Sequence, residues 1–148
     1  MGDIKEKYLK DAIAEYSKRI SRFAELKIIE FKENVPASSS RADILSALKK
    51  DAEEMKKFIK GYAFCLDICG KMYSSEEFSK KIENITLSAS EITFIIGASN
   101  GIDESIKTLA KEKLSFSPMT FPHQLMRVIF LEQLYRAFTI IHKISYHK

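Results

Sequence analysis

Arg127 is the residue whose setting asks for chemistry. In the stretch HQLMRVIFLEQLYRAFTII, residues Arg127, Leu131, Leu134, Phe138 and Ile141 recur at i, i+4, i+7, i+11 and i+14, so a helix puts them on one face. Arginine cannot shed its charge, and an unpaired buried charge is very costly. Arg127 therefore needs an anion, a cluster of carbonyls, or a cleft that holds a ligand. Glu132, or carbonyls across a subunit interface, would satisfy it structurally. His123, His142 and His147 are the only histidines, and His123 and His147 can titrate near neutrality. Cys65 and Cys69 are the only cysteines; Cys-x3-Cys is no redox motif, and no spacing of these residues supports a zinc site.

Three further segments carry residues suited to holding a ligand. Leu66 to Lys71 reads LDICGK, Gly97 to Gly101 reads GASNG, and Pro118 to His123 reads PMTFPH. Glycines permit tight turns and a close backbone approach to a ligand. Gly-x3-Gly alone is neither a dinucleotide fingerprint nor a phosphate loop, and is compatible with an ordinary βα turn. The third segment is more unusual, because Phe116, Met119 and Phe121 are large apolar residues in a connection that should face water. Such a loop is either packed under something or lines a slot for a flat ring, such as an adenine held by main-chain groups.

The elements that would position these groups follow from hydrophobic periodicity. Asp3 and Glu6 suggest a capping box for a helix running to about Ser21, with Leu9, Ala12, Ile13, Tyr16, Ile20 and Phe23 as its apolar stripe. Leu26 to Lys32 is a strand candidate, and residues 33–41 form a polar loop. A second helix covers about 42–60, with Ile44, Leu48, Ala52, Met55 and Ile59 inward. Tyr62 to Ile68 reads as a buried strand. Ser74 and Glu77 open a third helix with Phe78, Ile82 and Ile85 inward. Glu91 to Ile96 is a third strand, Asp103 caps a short helix through Lys113, and Leu114 to Ser117 is a fourth strand before the final helix. Buried strands alternating with amphipathic helices predict an α/β fold with a mainly parallel sheet flanked by helices. In such sheets ligands bind beyond the carboxyl ends of the strands, where all three candidate segments fall.

The 148 residues fit one domain, and at 45% hydrophobic they suffice for a layered core. The first residues show no apolar leader, and Glu at position 6 argues against myristoylation of Gly2. No apolar run is long enough for a membrane span. The expectation is a soluble cytoplasmic protein with reduced cysteines and no bound metal. The net charge of +4, with Lys5, Lys7, Lys10, Lys18, Arg19, Arg22 and Lys27 crowded near the start, is compatible with nucleic acid and equally with a solvated helix face. Met126, Ile129 and Ile140 lie off the Arg127 stripe, so the last helix is apolar on nearly every side. In a chain this small that suggests a subunit interface.

The segments IIGASNG, LSFSPMTFPHQLMRVIFLEQLYRAF and the terminal YHK, with GDIKEKYLKDAIAEYSKRI near the start and LDICGK between, resemble the ribosomal RNA large-subunit methyltransferase H family. This belongs to the SPOUT superfamily, and the similarity spans essentially the whole chain. The resemblance implies one SPOUT domain over residues 1–148 with a deep C-terminal trefoil knot, its knotted cofactor-binding part at about 91–148. It implies a homodimer that uses S-adenosylmethionine to methylate N3 of a pseudouridine in large-subunit (23S) ribosomal RNA on assembled ribosomes, with no membrane and no metal. Carried over residue by residue, the cofactor contacts are Leu66, Gly97, Phe116, Ser117, Pro118, Met119, Thr120 and Phe121. Gly101 joins them on the glycine-loop argument. His123, Arg127, Tyr146 and His147 are the candidates for catalysis on the substrate side.

Two departures from the family pattern stand out. A double glycine is usual where this chain has Gly97-Ala98, which alanine should tolerate unless a positive φ is needed. The family also opens with a short apolar strand ending in Val-Gly-Lys or similar, whereas this chain opens at that glycine. A sheet without that strand would leave neighbouring edges and the first helix less covered. A non-catalytic ribosome- or nucleotide-binding module on the same fold is the alternative function, and a flavodoxin-like regulatory domain fits the apolar loop and last helix poorly.

Overall fold

A computed structural model describes residues 6–31 and 40–147. Among them, five helices and three strands run in the order α1 (Lys7–Ile20), α2 (Arg41–Lys56), β1 (Tyr62–Met72), α3 (Ser75–Thr86), β2 (Ile92–Ile95), α4 (Glu104–Leu109), β3 (Glu112–Ser115) and α5 (His123–Ile141). The strands form one parallel sheet in the order β2-β1-β3. The chain leaves β1 on one side to make β2, then recrosses to the other side to make β3. The carboxyl end of β1 is thus the point at which the connections diverge, where open α/β sheets hold ligands.

Both faces of the sheet are covered, as a parallel sheet requires. Alternate residues of β1 enter different cores. Phe64 belongs to the larger one, with Ile20 of α1, Phe78, Ile82 and Ile85 of α3, Leu114 of β3, and Phe130, Leu131 and Leu134 of α5. Its neighbour Cys65 enters the smaller one, with Ala52 and Met55 of α2, Ile95 of β2 and Ile106 of α4. Phe64 is paired in register with Phe94 and stacks on it at 5.2 Å, and Phe94 meets Phe130 at 4.6 Å. These rings tie the sheet to the last helix. Polar caps set where two helices begin: Ser40 with Asp43, and Ser74 with Glu77, form reciprocal capping boxes at α2 and α3.

The stripes expected for α1, α2 and α3 point inward, and Ser74–Glu77 caps α3 as its spacing predicts. Other expectations need correction. The box expected from Asp3 lies partly outside the described residues, and Glu6 makes no side-chain cap to α1. Through Phe31, residues 26–31 of the expected strand at 26–32 are irregular; Lys32 lies outside the described residues, as does nearly all of the polar loop after it. Leu26 packs on the larger core, and Phe31 meets Phe58 edge-on at 5.7 Å, but Ile28 and Ile29 stay exposed. No described strand lies alongside this segment, and alternating side chains cannot supply the missing hydrogen-bond partner. The second helix stops at Lys56, the fourth at Leu109, and the last strand begins earlier than expected, at Glu112.

β1 also runs beyond Ile68, to Met72. Its pairing with β3 breaks between Leu66 and Lys71, both of which face Leu114, so residues 67–70 bulge out of the ladder. Gly70 sits against the backbone of β3, where a Cβ would come within 2.6 Å of the Lys113 carbonyl carbon. Only glycine lets the bulge fold back this tightly.

Candidate active site

The bulge of β1, the turn after β2 and the loop between β3 and α5 converge on one cleft of about 310 Å³ at the carboxyl end of the sheet. That is within the size range of small-molecule sites. From the bulge it takes Leu66, Asp67 and Ile68, and from the turn Gly97, Ala98, Ser99 and Gly101. The β3–α5 loop adds Phe116, Ser117, Met119, Thr120 and Phe121, and α5 adds His123 and Met126.

The turn is closed by the Gly101 N–H donating to the Ala98 carbonyl at 2.9 Å. Gly101 has φ +84° with open space where a Cβ would stand, so backbone conformation, not crowding, calls for glycine. Ala98 is not at positive φ, so the alanine in place of a second glycine costs the turn nothing. The β3–α5 loop is ordered by Ser117, whose hydroxyl accepts the Met119 N–H, and by Ser115, whose hydroxyl donates to the Ile68 and Ser117 carbonyls. Ser115 thereby links the loop to the bulge. Phe116 packs edge-on against Phe130, whereas Met119 is 71% exposed.

Of the residues expected to hold a cofactor, Leu66, Gly97, Gly101, Phe116, Ser117, Met119, Thr120 and Phe121 line this cleft. Pro118 lies in the same loop but is exposed and forms no part of the wall. Of the four residues expected on the substrate side, His123 lines the cleft and the others lie elsewhere in the chain. Arg127 is buried one turn further along α5, with its Nη1 2.6 Å from Glu30 Oε1. Glu132 instead pairs with Arg136 at 2.5 Å.

The tail turns back on the body. Tyr146 donates to Glu132 at 3.2 Å, and its ring meets Tyr135 at 4.8 Å. Burial first, then a hydrogen bond involving Tyr16, pushes its hydroxyl up to about 12, so Tyr146 stays protonated at neutral pH. His147 Nε2 lies 2.6 Å from Glu76 Oε1 at the start of α3, and its Nδ1 is 3.4 Å from Arg136. Neither tail residue lines the cleft of its own chain.

Among the wall residues that no motif in the sequence marks as a site are the two charged ones: Asp67 lies within LDICGK, and Lys107 of α4 reaches the cleft from a different element. Strand-end position marks the first, but nothing in the local spacing marks the second. Both cysteines are free thiols; burial pushes the Cys65 thiol up to about 11, which removes it from nucleophilic chemistry near neutrality. Among the described residues no cluster could hold a metal ion, and no helix is long and apolar enough to cross a membrane.

An α/β sheet whose carboxyl edge carries a glycine-edged, aromatic-walled cleft at the divergence of its connections has the form of α/β proteins that place a small-molecule site there. Residues 1–147 match the family model described as "Predicted SPOUT methyltransferase". The chain is 51% identical over its full length to a protein of Ruminiclostridium cellulolyticum named ribosomal RNA large subunit methyltransferase H, covering 96% of that protein. It is 49% and 48% identical, with the same coverage, to proteins of that name from Leuconostoc citreum and Streptococcus uberis. The chain belongs to the ribosomal RNA large subunit methyltransferase H family of SPOUT methyltransferases.

Proposed function

We propose that this chain is an S-adenosylmethionine-dependent methyltransferase acting on N3 of a pseudouridine in large-subunit ribosomal RNA, on the ribosome, in the cytoplasm. The observation that carries the reading is the cleft in which Leu66, the Gly97–Gly101 turn and the Phe116–Phe121 loop come together. Its wall fits the cofactor. Phe116, Met119 and Phe121 offer apolar surface to an adenine ring, the glycine turn allows close backbone approach, and Asp67 with Lys107 offers a polar edge.

When bound, the cofactor supplies a methyl group on a sulfonium sulfur, open to in-line attack by a ring nitrogen. The protein's share is to hold nucleophile and methyl in near-attack geometry while keeping water out. His123 stands at the start of α5 on the cleft wall, within reach of the ligand space, and is the candidate to take or relay the N3 proton. Tyr146, protonated at neutral pH, serves as a hydrogen-bond donor rather than a base. Arg127, buried against Glu30 one turn beyond His123, is the candidate to stabilise the anionic base or a phosphate only if it leaves that pair.

The active form is a homodimer. Ile68 and Met119 line the cleft yet are 57% and 71% exposed, and Leu125 of α5 is exposed as well. A partner covering these side chains would finish the cleft wall. In such a dimer Tyr146 and His147 of one subunit would serve the site of the other. On this reading the knotted cofactor-binding part is about residues 91–148 of a single SPOUT domain, as family membership implies. Ribosomal RNA is met by the exposed cations Lys7, Lys10, Lys18, Arg22 and Lys27 in and after α1, so binding should weaken steeply with salt.

The test pairs calorimetry with nucleoside mapping. The purified protein is expected to bind S-adenosylmethionine and to add one methyl to a pseudouridine of unmodified ribosomes. Absence of cofactor binding would move the reading to a non-catalytic ribosome-binding module on the same fold. Binding with methylation elsewhere would keep the enzyme class and overturn the target.

A further inference from the structure

The cleft wall holds one pair of opposite charges, and it belongs to neither the apolar slot nor the substrate side. Asp67 stands on the bulge of the central strand, at the carboxyl end of the sheet. Its Oδ1 accepts the Cys69 N–H at 2.9 Å, which fixes the carboxylate in the turn of the bulge. Its Oδ2 lies 3.6 Å from Lys107 Nζ, too far for a direct hydrogen bond, and keeps acceptor capacity toward the cleft. Lys107 is steadied from the other side by Glu104 at 2.8 Å. The Asp67 side chain is only 15% exposed, so its orientation is set by the fold.

We propose that Asp67, with Lys107 beside it, is the specificity-determining contact for the ribose diol of the cofactor. The assignment rests on the cofactor reading above. A vicinal diol is both donor and acceptor: its hydroxyls donate to a carboxylate and accept from an ammonium, so a carboxylate–ammonium pair complements it. An isolated carboxylate would instead draw the sulfonium or the amino group of the methionine end. Here Lys107, shared with Glu104, partly offsets the charge of Asp67, and its ammonium stands beside the carboxylate as a second donor for a hydroxyl. A carboxylate at the carboxyl end of a parallel strand is also where α/β proteins read ribose. The Cys69 N–H, followed by the approach of Lys107, holds the Asp67 carboxyl below the usual carboxylate range despite its burial, so it is a competent acceptor at working pH.

The experiment measures equilibrium binding of S-adenosylhomocysteine and of its 2′-deoxy and 3′-deoxy counterparts. The proteins are the full chain, Asp67→Asn and Lys107→Met. The wild-type chain is expected to bind the parent compound and to lose about 10- to 100-fold on removal of at least one hydroxyl, the scale of a hydrogen bond to a charged group. Asp67→Asn keeps an oxygen for the Cys69 N–H, so the bulge should survive. It should bind the parent compound about as weakly as the wild type binds the deoxy compound, and distinguish the two no longer. Should Asp67→Asn melt early, Lys107→Met decides. A narrowed deoxy penalty supports the pair, and an unchanged one overturns it. Undiminished discrimination by a folded Asp67→Asn overturns the assignment while leaving the cofactor reading intact. Failure of the wild type to bind the parent compound overturns both.

Discussion

Glu112 gathers three donors on one carboxylate. Tyr62 donates at 3.0 Å, Tyr73 donates as well, and Lys81 pairs at 2.7 Å. The group sits at the start of β3, where it ties the sheet to α3 and to the chain just before it. Burial alone would raise the Glu112 carboxyl, but the hydrogen bonds from Lys81, Tyr73 and Tyr62 outweigh it and hold the carboxyl below its ordinary range. In return, Tyr73 is pushed up to about 12, by burial first and by Glu112 second. A depressed carboxyl contributes stability that is complete above its unfolded value and is lost as pH falls through the folded one. The wild-type melting temperature is therefore expected to drop as pH falls below about 4.5. Glu112→Gln should cost about 1–3 kcal/mol near neutrality, from donors left without their anion. Its acid slope should also be shallower than that of the wild type. Melting curves across pH check this, and parallel acid slopes in the two proteins would show that Glu112 is not a source of the acid sensitivity.

Between residue and fold stands the contact of α5 with the segment after α1. The Arg127 guanidinium on the apolar stripe called from sequence alone for an anion, a carbonyl cluster or a ligand-filled cleft, and Glu30, itself 43% exposed, provides the anion. Its location could not be read, because Glu30 was assigned to a strand that does not form among the described residues. The contrast is physical. Helix stripes and capping boxes are local, so α1, α2, α3 and α5 were legible from spacing. A strand exists only through its neighbour, so the candidate at 26–32 and the bulge inside β1 were not. The cleft followed the same rule: Gly97, Phe116 and Phe121 were legible in the chain, while Lys107 reaches the wall only through folding. Arg127→Met tests what the guanidinium does. Arg127→Met removes one partner of the pair, but Glu30 is 43% exposed and water can solvate the carboxylate left behind, so the urea midpoint should imply a loss below the roughly 3–5 kcal/mol of a fully buried broken pair. If the guanidinium also serves the reaction, methyl transfer should fall about 100-fold. Equal, small losses in both would assign Arg127 to packing against Glu30 alone.

At the scale of the whole molecule, the issue is how far one chain completes its own site. Tyr146 and His147 are held on Glu132, Arg136 and Glu76, and neither lines the cleft of its own chain. A tail that works on the cofactor's methyl must either leave these contacts or act on the cleft of a second subunit. Two defective chains separate the alternatives. One lacks residues 146–148 but keeps its cleft. The other carries Gly97→Val, whose Cβ would stand 2.9 Å from Ile102 Cγ1 in the cleft turn, but keeps its tail. Each alone is expected to be inactive and dimeric. Mixed in equal amounts and allowed to exchange, half the dimers carry both chains, and one of their two sites has an intact cleft facing an intact tail. Methyl transfer should then return to about a quarter of the wild-type rate, the statistical limit for a two-fold symmetric dimer. If the tail serves its own subunit, no site in any mixed dimer is whole and the mixture stays inactive. A tail-deleted chain that methylates ribosomes unaided would instead make the Tyr146–His147 contacts part of the fold, with the cleft and His123 left to carry the reaction.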